Sequence, residues 1–167
     1  MKKHLLILIG SAILLSVPAA RAAMSLGTFG DWEAYTEREN GKLVCYMGSA
    51  PTKMRGKYKV RGKSFVLVTH RPSEQSTNVV SVQAGYTYKK GSEVEILIGK
   101  KTTKLFVDNQ HAYAYDSKSD GELVKSMIRA AGMTVKGVSS RGTLTTDTYS
   151  LKGFSAAYKS ISAACKV

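Results

Sequence analysis

The stretch Glu93-Val94-Glu95-Ile96-Leu97-Ile98-Gly99-Lys100-Lys101-Thr102-Thr103-Lys104-Leu105-Phe106-Val107-Asp108-Asn109-Gln110-His111-Ala112-Tyr113-Ala114-Tyr115 decides the architecture. Its residues follow a period of two, which places alternate side chains on opposite faces of a strand. Gly99-Lys100 and Asp108-Asn109 interrupt it with residues that tolerate a positive φ, so it reads as strands over 93–98, 102–108 and 111–115 joined by tight turns. Working outward, the same pattern predicts strands near 29–36, 43–49, 64–70, 78–84, 133–139 and 143–150, with further turns at Asn40-Gly41, Lys90-Gly91 and Arg141-Gly142. The expectation is a mainly β chain, an antiparallel β-sandwich or barrel-like sheet. Two stretches change to a helical period. Over 120–131, Asp120 is the expected N-cap, Leu123, Val124, Met127, Ile128 and Ala131 share a face, and Gly132 is the stop. Over 153–164, Phe154, Ala157, Tyr158, Ile161 and Cys165 recur at three and four residues. Both apolar faces read as core packed against the sheet.

Residues 1–22 carry the three parts of a cleavable export signal: Lys2 and Lys3, an apolar run from Leu5 to Val17, and the small-residue end Ala20-Arg21-Ala22. The run is too short for a membrane span, and no later segment is apolar enough to supply one. The expected mature chain, 23–167, has the size of one β-rich domain. Removing Lys2, Lys3 and Arg21 lowers the formal charge from +13 to +10, which still favours anionic partners. Periplasmic or secreted placement puts Cys45 and Cys165 where oxidation is expected. The bridge between them would close a loop of about 120 residues and staple the fold. No Cys-x-x-Cys indicates redox chemistry.

Lys53, Arg55, Lys57, Lys59, Arg61 and Lys63 place a basic residue at every second position. In an extended segment all six would line one side over roughly 33 Å, a stripe able to neutralise phosphates. The alternative is a solvated loop, because Gly56 and Gly62 weaken a strand, or lysines guarding a sheet edge. The run from Gly56 to Ser64 has five residues between its glycines and precedes a strand, so it does not fit a phosphate-cradling loop. With the export signal, this argues against nucleotide and nucleic-acid roles. Asp116, Asp120 and Gly121 imitate the start of a calcium loop, but Lys118 and Met127 stand at ligand positions. His70 and His111 lie in no metal-ligand spacing, and Ser139 and Ser140 lie in no nucleophile elbow. No cofactor is expected. Tyr86 with Tyr88, and Tyr113 with Tyr115, alternate on strands, either half-buried or as a stacking surface for sugars or bases.

Taken together, Phe29-Gly30-Asp31-Trp32-Glu33, Val44-Cys45-Tyr46, the segment from Val135 to Thr143, Thr145 to Leu151, Gly153-Phe154, Ala156-Ala157 and Ala164-Cys165 resemble the invasion-associated locus B family of exported α-proteobacterial proteins. The resemblance implies an exported, envelope-associated β-rich protein linked in pathogenic members to host-cell invasion. It implies no enzymatic activity, cofactor or catalytic residue. One departure concerns the cysteines: relatives often place one four residues after the tryptophan, where this chain has Thr36. Arg141, beside two serines and before a turn, is the best single candidate for a polar contact with a partner.

The leading expectation is therefore a non-enzymatic envelope protein whose basic surface contacts an anionic envelope or host component, or an acidic protein. Its rival is an enzyme or small-ligand carrier with a pocket around Arg141, His111 and the strand tyrosines.

Overall fold

A computed structural model describes residues 23–167; the expected export signal, 1–22, lies outside the described residues. The described residues are mainly β, with eleven antiparallel strands and two α-helices. Strands β1 (Met24–Phe29), β2 (Trp32–Glu39), β3 (Lys42–Ser49), β4 (Lys53–Gly56), β5 (Phe65–Arg71) and β6 (Ser76–Gln83) precede β7 (Glu93–Ile98), β8 (Lys101–Asp108) and β9 (His111–Tyr113). Helix α1 (Ser117–Ile128) follows, then β10 (Gly132–Val138), β11 (Leu144–Ser150) and α2 (Phe154–Cys165). All strands form one ladder in the order β1-β2-β3-β5-β6-β9-β8-β7-β10-β11-β4.

This is the barrel-like form of the expected sheet, and it is not closed: β1 and β4 remain its edges. It curls until segments near those edges meet. The Trp32 indole N–H donates to the Ser150 carbonyl at 3.0 Å, and the Asp31 N–H donates to the Lys152 carbonyl at 3.0 Å. Where the chain leaves β11, Gly153 has φ +88° and lies against the Phe29 carbonyl, so a side chain there would strike backbone.

The β7–β8–β9 meander matches the period-two reading closely. Val94, Ile96, Leu105 and Ala112 face the core, while Glu95, Lys104 and Phe106 face outward. The chain start differs. The strand expected over 29–36 is two strands with a turn at Gly30-Asp31, and the register of β1 shifts at a bulge between Ser25 and Gly27, which hides its alternation.

Helix α1 begins earlier than expected. Asp116 is the N-cap, its carboxylate accepting from the Ser119 N–H at 2.7 Å. Asp120 instead is buried, and its Oδ1 accepts from the Val80 N–H at 2.8 Å, tying α1 to β6. The two aspartates of the calcium-like pattern therefore serve a helix cap and a helix-to-sheet bond. Gly132 opens β10, so α1 ends before it.

Helix α2 buries Phe154, Ala157, Ile161 and Cys165 on the core face of β1, β2, β3 and β5. Trp32 meets Phe154 edge-on at 4.8 Å between centroids. Cys165 at the end of α2 is bonded to Cys45 on β3, with Cα atoms 6.0 Å apart. Thr36 is the cross-strand partner of Cys45 on β2, so the position where relatives often carry a cysteine adjoins this bridge. His70, fully buried on β5 as the cross-strand partner of Cys45, also reaches α2. Its Nδ1 accepts from the Asn78 N–H at 3.1 Å, which leaves Nε2 to donate to Ser162 Oγ at 3.2 Å.

Two predictions concern this anchoring. Breaking the bridge by Cys45→Ser with Cys165→Ser should cost roughly 4–5 kcal/mol of loop-closure entropy and lower Tm by about 10–20 °C; an unchanged melt would show that it carries no stability. Burial holds the His70 imidazole below its ordinary 6.5. Below that pH the unfolded chain takes up a proton that the native state refuses, so stability falls as pH drops from 6.5 toward the native value. Denaturant unfolding of His70→Gln across the same range should show a shallower decline than wild type; parallel curves would refute the assignment.

Candidate functional site

The structure divides the basic run 53–63, for which the sequence offers either an extended stripe or a solvated loop. Lys53 and Arg55 pair with Thr148 and Thr146 of β11 and share their outward face, on an edge strand. Lysine and arginine on such an edge discourage pairing with another sheet. Gly56 ends the strand, and residues 57–64 run irregularly to β5. Lys57, Lys59 and Lys63 remain exposed.

Arg61 turns inward, which corrects the six-residue stripe. It forms a bidentate pair with Asp147 of β11 at 2.7 and 2.5 Å, both side chains almost fully buried. Its Nε donates to the Ala84 carbonyl at 2.7 Å, and its guanidinium sits 4.9 Å from the Tyr86 ring centroid and 5.6 Å from that of Tyr58. Burial pulls its pKa down, but the Asp147 carboxylate outweighs this and the net shift is upward. Around the pair, Ser64 Oγ lies 2.9 Å from the Tyr149 hydroxyl, and the Tyr86 hydroxyl lies 2.6 Å from Thr145 Oγ1. Burial drives the Tyr86, Tyr88 and Tyr149 phenols above their ordinary value, so all three stay protonated.

Pinned in this way, the loop forms one wall of a cleft of about 520 Å³. The opposite wall is the β10–β11 turn, Ser139 to Thr143, and the floor includes Tyr86, Thr87 and Gln110. Lys57, Lys59 and Arg141, from segments about 80 residues apart, share this cleft, and no carboxylate lines it. Among the described residues none of the three is held in an ion pair. The Ser139 hydroxyl accepts from the Thr143 N–H at 3.1 Å and so braces the turn. A second cleft of about 530 Å³ lies across β2, β3 and β5, lined by Asp31, Glu33, Phe65 and the stacked Tyr35–Tyr46 pair. No expected site residue falls there.

The pocket of the rival reading is assembled only in part. Arg141 and Tyr86 share the basic cleft, but His111 lies on β9 with its ring 6.2 Å from Tyr113, on the outer face. Tyr86 and Tyr88 are not on a strand: both follow Gly85 in an irregular connection, and Tyr88 is buried at an isolated bridge to Ser139. Sequence reasoning passed over Asp147, Ser64 and Tyr149. Asp147 lies within the stretch that carries the family resemblance, and it alternates in step with Thr145 and Tyr149, both of which face the core.

Fold and site together define a small antiparallel β domain with a disulfide-tied helix and a basic cleft at the mouth of an open sheet. The chain belongs to the invasion-associated locus B family: the family model described as Invasion associated locus B (IalB) protein matches residues 32–162. Among solved structures, the crystal structure of invasion associated protein B from Bartonella henselae has the same fold, with a TM-score of 0.58 at 15% identity. That likeness covers 86% of this chain and 97% of the Bartonella chain. No curated protein matches this sequence.

Replacing Asp147 with Asn should strand the buried guanidinium and cost roughly 3–5 kcal/mol, whereas Lys53→Gln on the exposed edge should stay within about 0.5 kcal/mol. Comparable losses in denaturant unfolding would show that the buried pair is not holding the loop.

Proposed function

We propose that the protein is exported to the periplasm or beyond, where it acts without catalysis by binding an anionic envelope or host component through the basic cleft. The observation that carries this reading is the convergence of Lys57, Lys59 and Arg141 on a cleft without a carboxylate. A cleft lined by one sign of charge concentrates the field of cations grouped in this way, and an anionic partner would release their counterions. Export is supported by the leader pattern of residues 1–22 and by the Cys45–Cys165 bridge, which suits an oxidising compartment. No helix among the described residues is long and apolar enough to cross a membrane. Association with host-cell invasion is supported by the family, whose model is described as invasion associated. A binding role is favoured over catalysis because the Ser139 hydroxyl braces a turn and both histidines of the described residues lie elsewhere, His70 buried under α2 and His111 on the outer face.

The triple variant Lys57→Gln, Lys59→Gln, Arg141→Gln should elute from an immobilised polyanion at clearly lower salt and bind about tenfold or more weakly at low ionic strength. Arg61 is left intact, since its charge is already neutralised inside the fold. Retention identical to wild type would remove the cleft from the reading.

A further inference from the structure

Beside the cleft, the outer face of β8–β9 and the bend that follows β9 carry four rings in succession. His111 lies 6.2 Å from Tyr113, Tyr113 lies 5.8 Å from Phe106, and Phe106 lies 5.6 Å from Tyr115. Phe106 is 38% and Tyr115 59% exposed, an uncommon concentration of aromatic surface on a strand pair whose other outward residues are charged or polar. The Tyr115 hydroxyl donates to Glu93, which also holds Lys104, so the end of the row is fixed in place. The row begins one residue after Gln110, which lines the basic cleft at the β8–β9 turn. Cations, uncommitted hydroxyl and amide groups at Thr87 and Gln110, and a row of rings that runs from half-buried His111 and Tyr113 to exposed Phe106 and Tyr115 thus follow one another along the surface.

We propose that the anionic partner is an acidic polysaccharide, its charged sugars seated among Lys57, Lys59 and Arg141 and its next sugars stacked on the Tyr113–Phe106–Tyr115 row. The assignment rests on the binding role proposed above. Three features separate this partner from a lipid surface or a simple phosphate chain. Sugars present alternating apolar ring faces, which suit aromatic rings. Their hydroxyls suit the neutral donors and acceptors of the cleft. Their carboxylates or sulfates suit its cations. A phosphate chain uses only the last, and a bilayer would require the exposed apolar residues to share a plane with the cations.

Binding by calorimetry to short and long oligogalacturonates, dextran, polyphosphate and phosphatidylglycerol vesicles tests this, using the wild type, the triple cleft variant and Phe106→Thr with Tyr115→Thr. Thermal melts matched to wild type establish that each variant is folded. Long uronate chains are expected to bind tightest, and dextran weakly. The cleft variant should lose both chain lengths, and the row variant should lose about tenfold on long chains only. Long chains unaffected by the row variant, or polyphosphate or vesicles binding as tightly as uronate, would overturn the saccharide assignment and leave the anion-binding role standing. Failure of every anion to bind would overturn that role as well.

Discussion

The surface of this protein depends on the buried pair between Arg61 and Asp147. A carboxylate facing the core of a β domain is costly to desolvate, and so is a guanidinium; each is tolerated because the other satisfies it with two parallel hydrogen bonds. The pair draws an otherwise irregular, highly basic segment onto the end of the sheet. Tyr58 and Tyr86 lie against the guanidinium, and the Ala84 carbonyl takes its remaining reach. The neighbouring lysines are thereby presented in a fixed place opposite Arg141 instead of being dispersed through solvent. One arginine of the basic run is thus committed to structure, and it positions the neighbouring charges that remain exposed.

The other end of the fold is governed by α2. An open sheet of this size must cover its core face, and α2 does so with Phe154, Ala157 and Ile161 while Cys165 fastens it to β3. His70 supplies a second, uncharged anchor through Ser162. The backbone contact between the β1–β2 turn and the segment entering α2 lets the sheet curl tightly without closing. A rigid body with its helix secured is a suitable platform for a site built from loops, because the loops then have little else to hold in place.

Much of the architecture was legible in the sequence. The alternation around 93–113 and the positive-φ turns reflect local rules, so strands there fall within a residue or two of expectation, and the two cysteines permit only one internal bridge. The errors lie where local and tertiary signals compete. Asp120 resembles a helix cap in sequence, yet the acceptor needed by the Val80 N–H across the core claims it, and Asp116 starts the helix one turn earlier. The bulge near Gly27 conceals β1 because two residues face one and the period is lost. Tyr86 and Tyr88 alternate like strand residues although their backbone is irregular, since core packing alone can produce that spacing.

The sequence by itself determined the class of fold, the family, the basic balance and the identity of the bridge, because these follow from composition, periodicity and residue identity along the chain. Only the tertiary structure decided which charges are available. Whether a basic residue meets solvent or a buried carboxylate depends on what lies across the fold, 86 residues away for Arg61, and no local pattern reports it. The same holds for the cleft: Lys57, Lys59 and Arg141 line one cleft because β11 brings its turn beside the loop that Asp147 holds.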